Sequence, residues 1–114
     1  MNTNPVFSLP GKLAKTEPDR RMKLSATGAE YCGAEESSIG TSLPGDLNTE
    51  QVTLQSRAVG IHNAETSAAT AIAVGDQIQG AADGKITKKA SGTAIGVATE
   101  SSSAAGSVIG VVYY

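Results

Sequence analysis

The chain has 114 residues, a formal net charge of -2 and a sequence pI of about 5.3; that is room for one small domain, and it excludes the basic stripe that a nucleic-acid binder uses to neutralise phosphates. The single cysteine, Cys32, excludes an internal disulfide and leaves a thiol zinc site without ligands. Aromatic residues make up 4%, with no Trp and one Phe, so the core is thin; association with other chains is the staple left to a small domain of this kind.

Residues 1–50 show no sustained helical or strand periodicity. Met1 to Pro10 is polar and broken by two prolines, so it reads as no signal peptide, and no stretch reaches the roughly 20 apolar residues of a membrane span. All four prolines (Pro5, Pro10, Pro18 and Pro44) fall here, with much of the positive charge in Lys12, Lys15, Arg20, Arg21 and Lys23. Apolar anchors are scattered: Val6, Phe7, Leu9, Leu13, Met22, Leu24, Tyr31, Ile39, Leu43 and Leu47. This pattern predicts a long extended arm with local turns such as Leu43-Pro44-Gly45-Asp46, and no core of its own. Ordering an arm of that length costs roughly 70 kcal/mol at about 1.5 kcal/mol per residue, which the anchors alone do not offset, so neighbouring molecules are expected to hold it.

Residues 51–114 follow a different grammar. Gln51-Val52-Thr53-Leu54-Gln55 alternates as a half-buried strand does, and Ala58 to His62 continues it. Thr70 to Val74 and Gln77 to Gln79 flank a Gly75-Asp76 turn. Asp83-Gly84 signals a type I′ hairpin, whose two central residues both need φ > 0. Lys85 to Lys88, Thr93 to Thr99 and Ser107 to Tyr114 supply further strands. Short strands between glycine turns predict a mainly β fold, a small compact barrel or sandwich head over 51–114 carrying the arm of 1–50. Two Ser/Ala-rich loops, 63–69 and 98–105, share loop chemistry without forming a repeat unit.

Catalytic constellations are absent from this pattern. The one histidine, His62, lacks a nucleophile elbow and reads as a strand-end residue with an ordinary partner. Glu35-Glu36 reads as a solvated turn; Asp76 and Asp83 read as turn residues bonding their own backbone. The acids are too sparse for a calcium loop, and no phosphate-binding glycine loop occurs. Gly92 to Gly96 and Gly106 to Gly110 share a helix-packing spacing but lie in strand-like sequence. Lys85, Lys88 and Lys89 read as a solvated hairpin face. Cys32 reads as a reduced thiol of a cytosol-assembled protein. The expectation is a protein that is not an enzyme, with no cofactor, no metal, no small-molecule substrate, no nucleic acid and no membrane.

Taken in order, Ala73-Val74-Gly75-Asp76, Asp83-Gly84-Lys85-Ile86, Gly92 to Ala98 and Ala105 to Val111 resemble the small cement, or decoration, proteins of tailed-phage capsids. The segment Asn4-Pro5-Val6-Phe7-Ser8-Leu9-Pro10 resembles their arm. The resemblance covers residues 1–12 and 58–114 and leaves 13–57 unmatched. It implies a structural virion protein made in the bacterial cytoplasm, seated on the outer capsid surface as a homotrimer, with the major capsid protein as partner. It further implies that Asn4 to Pro10 bind the capsid and that seams between capsomers are held against internal DNA pressure. Val111-Val112-Tyr113-Tyr114, the densest apolar group, reads as a final core strand or a subunit interface. Two alternatives stand beside it: a head fibre or other virion accessory protein, and a biotinyl- or lipoyl-like carrier sandwich with Lys85 as the modified residue.

Overall fold

The computed structural model describes residues 6–10, 17–43, 51–57, 60–67 and 71–114. Its strands are β1 (Val6–Pro10), β2 (Arg21–Ser25), β3 (Gly28–Tyr31), β4 (Gly40–Ser42), β5 (Gln51–Ser56), β6 (His62–Glu65), β7 (Gln77–Gly80), β8 (Ile86–Lys88), β9 (Ala94–Ala98) and β10 (Val108–Tyr113). They form two five-stranded antiparallel sheets, ordered β1-β5-β4-β2-β3 and β6-β10-β9-β7-β8. The expected mainly β fold is therefore what the chain adopts, with the architecture of two curled sheets.

Both sheets bend towards closure without reaching it. In the first, the edge strands β1 and β3 approach each other without pairing. In the second, a parallel bridge from Thr66 to Ile86 ties the end of β6 to β8. The Asp83-Gly84 turn is of the expected type: φ is 57° at Asp83 and 74° at Gly84, and Lys85 N–H donates to the Ala82 carbonyl at 3.2 Å. The segment expected as a strand around Ile72 pairs only through a bridge to Ser102; Thr70 lies outside the described residues.

The first half of the chain, residues 1–50, contributes strands to the first sheet. Four strands of the first sheet come from it, and the fifth, β5, comes from beyond residue 50 and sits between β1 and β4. Met22 and Ala29 are buried together with Val52 and Leu54, and Tyr31 packs on them. Across residue 50, β4 pairs with β5 through Gly40↔Ser56, Thr41↔Gln55 and Ser42↔Leu54. Strands of three to five residues, such as Gly40–Ser42, are too short to show a period and gain their burial from partners distant in sequence. The predicted turn at Leu43-Pro44-Gly45-Asp46 lies outside the described residues beyond Leu43.

A second cluster, Ala64, Ile72, Ile78, Ile86, Ala98, Ile109, Val111 and Tyr113, fills the other sheet. Between the two thin cores runs a polar seam. Arg21 is 2% exposed, and its guanidinium donates five hydrogen bonds to the carbonyls of Gly33, Glu36, Ala81 and Lys85 at 2.9–3.3 Å. Gly80 lets that guanidinium in, since a Cβ there would stand 2.7 Å from Nη2. His62 Nδ1 lies 2.8 Å from Thr41 Oγ1, joining β6 to β4, and its ring meets Tyr113 edge-on at 5.1 Å. Arg20, just before β2, and Lys85, just before β8, converge on Glu65 at 3.3 Å each.

Candidate interaction surface

Strand β10 is pinned between β6 and β9 by the registers Val111↔His62 and Val112↔Val97. Alternation along it then decides which side chains face water. Val111 is fully buried and Tyr113 is 8% exposed, both in the core, whereas Val112 is 42% and Tyr114 60% exposed. The four residues proposed together from the sequence thus divide into two pairs. Val111 and Tyr113 hold the fold; Val112 and Tyr114 are available to a partner. Tyr114 is steadied by Gln77, whose Nε2 donates to the Tyr114 hydroxyl at 3.1 Å.

The outward face extends beyond β10. Gly110 carries no side chain, and Thr99 Oγ1, Glu100 Oε1 and Ile61 Cγ2 crowd that gap, at 2.5, 3.0 and 3.2 Å from where a Cβ would be. Ile61 is 61% exposed and Val108 47%. Val97, half-buried, sits opposite Val112 in register. The exposed apolar side chains on this side are Ile61, Val108, Val112 and Tyr114, with Val97 beside Val112 and the polar groups of Thr99 and Glu100 over Gly110. The sequence reading missed Ile61, grouping it with the strand running to His62. The available signal was parity: a residue adjacent to an inward-facing histidine on a strand faces out.

The N-terminal candidates are placed in part. Asn4 and Pro5 lie outside the described residues, as do the side chains of Phe7, Ser8 and Leu9. The backbone from Val6 to Pro10 pairs with β5 from Val6↔Gln55 to Pro10↔Gln51. It is an edge strand, and the Val6 and Pro10 side chains are exposed. Among the described residues the other side of its backbone pairs with no strand, although β3 approaches it.

The titratable groups are committed to structure. Cys32 is buried, its thiol points to the Ser37 carbonyl at 3.5 Å, and burial pushes its pKa up, so it is a poor nucleophile. Burial pushes the Tyr113 hydroxyl up to about 12. Asp76 accepts from the Ala73 N–H at 2.9 Å, which holds its carboxyl below the usual range. Glu36 is lowered chiefly by its bond with Lys23 and next by the Gly33 N–H. Lys85, the modification candidate, carries its ammonium in an ion pair with Glu65 at 3.3 Å, away from the hairpin apex. Among the described residues, no cluster of three His, Cys, Asp or Glu side chains is placed to hold a metal ion.

Comparison with known proteins gives matches of two kinds, to a family model and to solved structures. A family model described as "phage cement protein" matches residues 36–113, more than half of the chain. The crystal structure of the N base of head fiber gp8.5 in bacteriophage phi29 superposes with a TM-score of 0.70 at 14% identity, covering 96% of this chain and 92% of that one. At that identity the likeness speaks for the fold. A search of curated proteins finds no match.

Proposed function

Because the chain belongs to the phage cement protein family and is a structural protein associated with the phage capsid, we propose that it binds the outer surface of the shell. In this reading it works as a homotrimer, bridges capsomer seams and resists the pressure of packaged DNA. The family match carries the reading. Two features of the molecule support it: the exposed apolar side chains of Ile61, Val112 and Tyr114, and the edge of β1, unpaired among the described residues.

The two surfaces divide the work. Strand β1 and the residues before it, Asn4 and Pro5 included, add to an edge on the major capsid protein; the apolar face of β10 meets a second copy or the shell. A subunit held at several points is released slowly, because each engaged contact raises the local concentration of the next. None of this requires a catalytic group, which agrees with a family of structural proteins.

The test is direct. Purified protein mixed with undecorated capsids is imaged by electron microscopy, alongside a variant lacking residues 1–12. Full occupancy by the intact chain and loss of binding by the truncated one are expected. Equal occupancy by both would refute the role of the N-terminal segment, and no binding by either would refute the capsid reading.

A second reading rests on the fold match. That neighbour is the base of a head fiber, so this chain would be the seat of a projecting fibre. The same images separate the two: cement gives compact density lying on the shell, whereas a fibre base carries density projecting away from it.

A further inference from the structure

Between the sheets, beside Tyr113, lies an open cleft of about 140 Å³. Arg21 and Tyr113, both buried, form its floor, while Arg57, Glu35, Ser38 and Thr93 line the sides. We infer that this cleft accepts a single carboxylate, the side chain of an acidic residue on a neighbouring protein, with Arg57 as its principal ligand.

Among the described residues, Arg20, Lys23, Lys85 and Lys88 each pair with a carboxylate. Arg21 is satisfied by carbonyls, and Lys89 reaches the Ala90 carbonyl. Arg57 differs from all of them: its backbone N–H donates to the Ile39 carbonyl, but its guanidinium has neither hydrogen bond nor ion pair among the described residues. It is nevertheless half-buried, at the mouth of a cavity. A planar guanidinium held there presents a fork of donors to whatever enters.

The floor reinforces it. Arg21 brings a full positive charge into the seam, and all five of its hydrogen bonds go to carbonyl oxygens, so no carboxylate cancels it. Both arginines act on Tyr113, pulling its raised pKa partly back down. Two acids also line the cleft. Glu36 is already engaged by Lys23 and the Gly33 N–H, and Glu35 is exposed and makes no ion pair with Arg57. That balance selects the ligand class. A polyanion such as nucleic acid meets Glu35 and Glu36 as it spreads over the rim, whereas one carboxylate entering end-on meets Arg57 first. The hydroxyls of Ser38 and Thr93 can donate to its second oxygen, and the volume suits a side chain. The capsid-bound reading supplies the neighbour that would carry the acid; the chemistry of the cleft does not depend on it.

The experiment uses the full chain in solution, without capsids, so its outcome is separate from that of the decoration assay. Capped glutamate (N-acetyl, C-methylamide) and capped glutamine are titrated into isotope-labelled protein, following the Arg57 Nε–H and Tyr113 ring signals by NMR. Saturable shifts with glutamate are expected, about tenfold weaker with glutamine, and about tenfold weaker for glutamate with R57Q. R57K should lose part of the affinity and E35Q none. Equal binding of the two probes, an R57Q variant that binds as well as the wild type, absence of saturable shifts, or an Arg57–Glu35 ion pair in solution would each overturn the inference. The glutamate-versus-glutamine comparison is made on the unmodified chain and stands even if R57Q folds poorly.

Discussion

At the scale of single residues, the seam sets the most sensitive positions. Arg21→Met removes five hydrogen bonds and strands the carbonyls of Gly33, Glu36, Ala81 and Lys85 in a buried place. A loss of about 3 kcal/mol is expected in urea unfolding, the range for breaking a buried charged network. In the sequence Arg21 stands beside Arg20 and looks like another solvated cation. Its burial depends on carbonyls up to 64 residues away, which no local pattern reveals. Tyr113 gives a pH signature. Its hydroxyl is buried and lacks a hydrogen bond of normal geometry among the described residues, and burial raises its pKa from 10.0 to about 12. A raised value means the fold favours the neutral phenol, so the contribution is complete below pH 10 and fades as pH rises towards 12. Each unit is worth about 1.4 kcal/mol. Tyr113→Phe should leave neutral-pH stability nearly unchanged and flatten that alkaline loss, as measured by denaturation at stepped pH.

At the scale of elements, β10 separates folding from docking by alternation. Val111→Ala opens a hole beside Ala64 and Ile109 in the second core and should cost about 2 kcal/mol in thermal or chemical unfolding. Val112→Lys, one residue on, should change stability by no more than about 0.5 kcal/mol while weakening attachment to capsids in a co-sedimentation assay. The second half of the chain was largely legible: β5, β7, β8, β9 and β10 fall where alternation and the Asp83-Gly84 signal put them. The first half was not. Strand β4 is Gly-Thr-Ser, buried throughout, and carries no apolar residue to mark it. Strand β2 buries Arg21 and Met22 side by side, a pattern that breaks the period a strand normally shows.

At the scale of the whole molecule, two modest clusters share one fold because hydrogen bonds and ion pairs cross between them. A core this poor in bulky side chains needs a staple, which composition alone assigns to neighbouring molecules. The seam of Arg21, Thr41, His62 and Glu65 is a staple within the chain, and polar side chains in sequence do not announce which of them will be buried in company. The dimensions agree with a compact body, with a Cα radius of gyration of 13.3 Å. Hydrogen exchange should find the amides of Cys32 and Gly84, which donate to the carbonyls of Arg21 and Cys32 at 2.9 and 2.8 Å, among the slowest.

The same guanidinium has a mechanical meaning. Its bonds to Gly33 and Glu36 brace it within its own half, while those to Ala81 and Lys85, on either side of the Asp83-Gly84 turn, cross to the other, so a tug drawing one half of the body from the other strains the crossing bonds in parallel. Bonds loaded in parallel yield together, not one after another. A protein clamped on one side and pulled on the other would therefore stay whole up to a sharp breaking force, then fail in a single step.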